Sequence, residues 1–194
     1  MATDLTPDRT ADLAPARRLD PGADGAPDRA QDLARRCADT MWAADLASRR
    51  LGMRIDDVAP GSARLSMRVT AEMVNGHGTC HGGYLAVLAD SAFAFACNTY
   101  DDVTVAAGFD IVFATPARLD DELVAVATER VRYGRSGLYD VTLSRADGTV
   151  IAEYRGRSRS LGRPLLPAEG TSGVPSEVPS TEPSAVPSGG ASDA

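Results

Sequence analysis

Lysine is absent from this sequence, and the bases it does carry are all Arg: 20 of them against 27 acidic residues, for a formal net charge of −7. That balance argues against a nonspecific nucleic-acid binder, which gains affinity by neutralising phosphates with clustered bases. The absence of lysine, with the abundance of Ala, reads as a bias of composition rather than a sign of function. No stretch approaches the roughly 18 consecutive apolar residues of a membrane span. The start of the chain also lacks the apolar run of a signal peptide. Cysteine is scarce as well: Cys37, Cys80 and Cys97 are an odd number at wide spacing, which does not read as a disulfide framework. The expectation is a soluble protein of a reduced, cytoplasmic compartment, with neither nucleic acid nor membrane as a partner.

What is present falls into three parts. From Pro164 onward, Pro-Ser recurs at a spacing of four (Pro175-Ser176, Pro179-Ser180, Pro183-Ser184, Pro187-Ser188). Residues 1–30 place Pro7, Pro15, Pro21 and Pro27 among small and acidic residues. Neither arm holds enough apolar surface to offset the entropy of ordering it, so residues 1–30 and 164–194 are expected to be disordered. Residues 31–163 are long enough for one domain with a sizeable core.

Within that domain, Leu33, Cys37, Met41 and Ala44 recur at helical spacing and predict an amphipathic helix from about Gln31 to Leu51. The period then switches to two. Ala63, Leu65, Met67 and Val69 alternate with Ser62, Arg64, Ser66 and Arg68 after the turn at Pro60-Gly61, which predicts a half-buried strand. Similar alternation recurs at 103–113, around 123–131, and at Tyr139, Val141 and Leu143. Asp147-Gly148 reads as a hairpin turn into a last strand, Thr149 to Ser160. One segment interrupts the strands: Gly82 to about Asn98 is Ala-rich, free of Pro and apolar nearly all round, and therefore predicts a helix buried on most sides. The fold class is α+β, an antiparallel sheet wrapped around a central helix, with an extra helix at the N-terminal side.

Two features carry chemistry. Asp90 is a carboxylate among Leu88, Ala89, Ala92 and Phe93 of the apolar helix, where an unpartnered charge is costly. It is either a working acid or a structural one on a solvated stripe or tied to a loop. Leading into the helix is Asn75-Gly76-His77-Gly78-Thr79-Cys80-His81-Gly82-Gly83. Glycines at a helix start allow a ligand close to the backbone, and the free N–H groups there favour an anionic oxygen, the chemistry of an oxyanion hole. The same glycines could serve only the turns of a flexible loop. His77, Cys80 and His81 lack a fourth metal ligand nearby and any Cys-x-x-Cys pattern. Cys80 as a nucleophile would need a histidine within hydrogen-bond reach, and its neighbour His81 is expected to point away.

Val74-Asn75-Gly76-His77, Cys80-His81-Gly82-Gly83 and Leu88-Ala89-Asp90 together resemble the PaaI-type thioesterases of phenylacetate degradation. The resemblance continues through Ala94-Phe95-Ala96-Cys97-Asn98, the strand around Phe109 to Pro116, Gly137-Leu138-Tyr139-Asp140 and Arg155-Gly156-Arg157-Ser158, covering roughly residues 33–163. It implies a hotdog fold, a homodimer with shared active sites that pairs again into a tetramer, and no metal or bound cofactor. It implies an acyl-CoA substrate with a hydroxyphenylacetyl-type acyl group. Asp90 would be general base or nucleophile, the Gly82 N–H would polarise the carbonyl, and Asn75 and His81 would orient thioester or water. Gly83 is a further expected substrate contact. A thiolate leaves more readily than an amine, so one carboxylate and one oxyanion donor suffice without a Ser-His-Asp arrangement. Coenzyme A needs cations for its phosphates, and Arg135 and Arg157 are candidates. The competing readings are a non-catalytic acyl-CoA sensor on the same fold, which would not need Asp90, and a hotdog hydroxyacyl-CoA dehydratase, which would carry a differently placed His-Asp or His-Glu pair.

Overall fold

The computed structural model of this chain describes residues 26–168. The arms expected at 1–30 and 164–194 lie outside the described residues, apart from 26–30 and 164–168. The first helix, α1 (Ala26–Ala44), begins five residues before the expected start. It buries Ala34, Cys37 and Ala38 against the core, with Met41 and Trp42 at its margin. The helix does not run on to Leu51. Asp45 breaks it by accepting a hydrogen bond from the Ser48 N–H with its own side chain, which starts the short α2 (Leu46–Arg50). At the other end, the Leu165 and Leu166 N–H groups donate to the Asp101 carboxylate, so the chain stays docked beyond Arg163.

Six antiparallel strands follow the order β1-β2-β4-β5-β6-β3. They are β1 (Arg54–Ala59), β2 (Ser62–Arg68), β3 (Thr104–Phe113), β4 (Glu122–Tyr133), β5 (Ser136–Arg145) and β6 (Val150–Ser160). Period-two burial marks the strands as expected: Ala63, Leu65 and Met67 on β2, Leu123, Ala125 and Ala127 on β4, and Tyr139, Val141 and Leu143 on β5 all turn inward. The Asp147-Gly148 turn forms, with Asp147 Oδ1 accepting from the Thr149 N–H. β1 has no counterpart in the sequence reading. Its segment RIDDVA buries only Val58 and kinks at a bulge between Ile55 and Asp57, so backbone pairing at a sheet edge, rather than alternation, defines it.

The central helix α3 (Gly82–Cys97) lies across the inner face of this sheet. It buries Leu85, Leu88, Ala89, Ala92, Phe93, Phe95, Ala96 and Cys97. Each fully buried Leu or Phe contributes about 1.5–3 kcal/mol by leaving water, so this face fixes the helix against the sheet. Gly156 on β6 brings the two layers close. A Cβ there would fall 2.8 Å from the Phe93 ring, closer than packed carbons approach. The inner face of the edge strand β3 remains uncovered by α3 along much of its length, leaving Phe109 44% and Phe113 51% exposed.

Residues 1–25 and 169–194 hold too little apolar sequence to add to a core, so a chain trimmed to 26–168 is expected to keep its melting temperature within about 3 °C and its turnover unchanged. Thermal unfolding of the trimmed and full chains checks this. Trimming to residue 31 instead removes the first turn of α1 and should lower the melting temperature measurably.

Candidate active site

The loop before α3 is built by its own side chains. Asn75 Oδ1 accepts from the backbone N–H groups of His77 and Thr79, at 2.9 and 3.3 Å, while its Nδ2 donates to the Thr79 hydroxyl. The Cys80 N–H donates to the Ala117 carbonyl and the His81 N–H to the Met73 carbonyl, both at 2.8 Å, which anchors the helix start to two neighbouring segments. His81 then caps α3: its Nδ1 accepts from the Gly83 N–H at 3.0 Å. With Nδ1 as acceptor, the neutral ring carries its proton on Nε2 and can donate outward. Gly83 was an expected substrate contact, but its N–H is spent on this cap. The Gly82 N–H has no partner among the described residues.

That N–H lines an open groove of ≈ 440 Å³, formed with Asn75, Thr79, Cys80, Leu85 and the 113–117 segment. It lies at the positive end of the helix dipole, where a developing oxyanion is favoured. The absence of a side chain on residue 82 lets the Phe113 ring lie close against the helix start: a Cβ there would meet the outer end of that ring at 2.8 Å. Phe113 was not singled out by the sequence. Its place on the inward-facing register of β3, at the groove's mouth, is the signal that could have found it.

Asp90 sits on α3, half-buried, eight residues after Gly82. On a helix rising ~1.5 Å per residue the two are roughly 12 Å apart along the axis, and Asp90 does not line the Gly82 groove. Its partner is Tyr154 on β6, whose hydroxyl donates to Asp90 Oδ1 at 2.7 Å. This is the only hydrogen bond to the Asp90 carboxylate among the described residues. Burial, then the donated bond and the charge of Asp90, push the Tyr154 hydroxyl well above the usual tyrosine range, so it remains a donor. Its ring is held between Phe109, stacked at 4.9 Å, and Phe93, tilted at 5.9 Å. The sequence contained a hint of this residue: a Tyr at an inward position of a strand needs a partner for its hydroxyl.

The other candidates are placed apart. Cys80 turns its thiol toward the His81 carbonyl rather than toward an imidazole, and burial, then the charge of Asp121, pushes it up to about 11. A thiol so rarely ionised is a poor nucleophile. Cys80→Ser is therefore expected to hold turnover within about threefold of the parent; a collapse in a thioester assay would restore the thiol mechanism. His77 is exposed, and no group of three or more His, Cys, Asp or Glu among the described residues is arranged to hold a metal ion. Arg135, in the β4–β5 turn, donates to the Ser160 carbonyl at the end of the molecule where α3 finishes. Arg157 pairs with Asp110 on the outer face of the sheet, turned away from α3. Neither lies at the Gly82 groove of its own chain. No helix among the described residues is long and apolar enough to cross a membrane.

Comparison with known proteins agrees with this architecture. Residues 77–152 match the family model of the thioesterase superfamily. The acyl-coenzyme A thioesterase PaaI of Escherichia coli is 38% identical over 125 residues, spanning 64% of this chain and 89% of that protein. A putative esterase of Deinococcus radiodurans is 42% identical over 108 residues, 55% of this chain and 73% of its own length. The solved structure of Escherichia coli PaaI superposes with a TM-score of 0.68 at 36% identity, covering 69% of this chain and 97% of that one. With a six-stranded antiparallel sheet around α3 and likenesses that run nearly the full length of that relative, this chain belongs to the PaaI-type thioesterases of the hotdog fold.

Proposed function

We propose that the protein hydrolyses an aryl acyl-CoA of the hydroxyphenylacetyl type to the free acid and CoA, in the cytoplasm and as a step of phenylacetate degradation. The observation that carries this is that α3 holds both a free Gly82 N–H at its start and, farther along, a carboxylate, Asp90, held by one oxygen only. The thioester carbonyl oxygen accepts from the Gly82 N–H, and the charge that develops there is met by the helix dipole. The free oxygen of Asp90 then takes a proton from attacking water, or itself adds to the carbonyl carbon. In either route the thiolate of CoA leaves. His81 supplies an outward Nε2–H to orient thioester or water, and Asn75 shapes the loop beside it. Phe113, whose ring lies against Gly82 in the same groove, supplies an aromatic wall for an aryl acyl group.

The working unit in this reading is a homodimer, because Gly82 and Asp90 of one chain are too far apart to share a carbonyl. Two chains joined along β3 with antiparallel central helices would bring each Asp90 beside the partner's Gly82, in an isologous interface that also covers Phe109 and Phe113. The same arrangement would set Arg135, at the far end of α3, toward the partner's groove as a contact for CoA phosphates; Arg157 would have to leave Asp110 to serve there. Pairing of two such dimers gives the tetramer. The test is a panel of aryl and aliphatic acyl-CoAs with detection of released thiol. Aryl substrates should turn over fastest. No thiol release from any member would contradict the hydrolase, and a preference for long aliphatic chains would contradict the aryl acyl group.

A further inference from the structure

We infer that Tyr154 is a positioning residue for hydrolysis, fixing the Asp90 carboxylate so that one oxygen is occupied and the other is aimed at the thioester. The inference rests on the reading of Asp90 as the working carboxylate. An Asp side chain on a helix surface rotates almost freely about its last bond, and a misdirected carboxylate loses the orientation on which proton transfer depends. Here one hydrogen bond of 2.7 Å removes that freedom.

The donor is itself rigid. Tyr154 is 2% exposed, lies on β6 between β5 and β3, and is gripped by the Phe93 and Phe109 rings. Phe93 is one helical turn beyond Asp90, and it lies against Gly156, two residues beyond Tyr154 on the same inner face. The close approach at Gly156 therefore sets the distance between the Asp90 and Tyr154 side chains. Each layer holds one end of the bond, so the carboxylate is placed by sheet and helix together. The hydroxyl cannot serve as a base, because burial and the neighbouring charge keep it protonated. Its service is to donate.

The full-length Tyr154→Phe variant keeps the ring and its packing and removes only the donor. A fall in kcat of about fivefold is expected, with KM within about twofold and the melting temperature nearly unchanged. In an Asp90→Asn background, where no carboxylate remains to be aimed, the same change should cost the residual turnover nothing further. Unchanged kcat in the single variant would overturn the inference while leaving Asp90 in place. A fall in kcat that tracks a fall in melting temperature, or an equal loss in the Asp90→Asn background, would overturn it in favour of a purely structural tyrosine. If Asp90→Asn alone turns over normally, the reading of Asp90 fails first, and the positioning role fails with it.

Discussion

Asp90→Asn should lower kcat by at least about a hundredfold while the protein stays folded, the magnitude usual for loss of a general base. The two side chains have the same shape, and the carboxamide oxygen of Asn can still accept the Tyr154 hydroxyl bond that Asp90 Oδ1 accepts now. What disappears is the negative charge, and with it the capacity to take a proton from water or to add to a thioester carbon. The neighbourhood is otherwise apolar, with Ala89 and Phe93 buried beside it, so no second carboxylate on α3 can substitute. Steady-state thiol release, with circular dichroism and thermal unfolding on the same preparations, reads both halves of this expectation. Turnover near that of the parent would return Asp90 to a structural role as the acceptor that satisfies a buried tyrosine.

The parts of this site that were legible in the sequence are those set by local pattern. An apolar helix with one carboxylate in it stands out at Asp90, and clustered glycines before a helix stand out at Gly82. The inward residues of β2, β4 and β5 repeat every second position, which places them without any knowledge of the partners. What was not legible depends on contacts between distant segments. Tyr154 and Asp90 are 64 residues apart, and their bond exists only once β6 lies beneath α3. The ion pair of Arg157 with Asp110 depends on the register of β6 against β3, so an arginine that the sequence offers to CoA turns out to face the other side of the sheet. Asn75 is a subtler case. The sequence singles it out, and the structure shows its side chain occupied in building the turn that presents Gly82, which strand and helix patterns do not encode. β1 was missed for a related reason, because an edge strand with two consecutive acids is held by its neighbour's backbone and carries no alternation of its own.

The central claim is that each active site takes Asp90 from one chain and Gly82 from the other. The variant paired with Asp90→Asn is Gly82→Pro, which deletes the free N–H. Proline is well tolerated at the first position of a helix, and His81 already has the extended backbone that a following proline demands, φ −64° and ψ 132°. The atoms that a new Cβ would meet belong to the outer end of the Phe113 ring, a side chain half-exposed in the single chain, which has to shift to admit the proline. Each variant alone should be nearly inactive. When the two are unfolded together and refolded in equal amounts, half of the dimers carry one chain of each kind, and each such dimer contains one whole site. Thiol release should therefore recover to about a quarter of the parent's rate if sites act independently in a closed two-fold dimer. The direct measurement is that rate, taken on preparations in which mass spectrometry shows the mixed dimer and thermal unfolding shows Gly82→Pro to be folded. Recovery near a quarter is the result this account predicts, and no recovery in the presence of mixed dimers would contradict it.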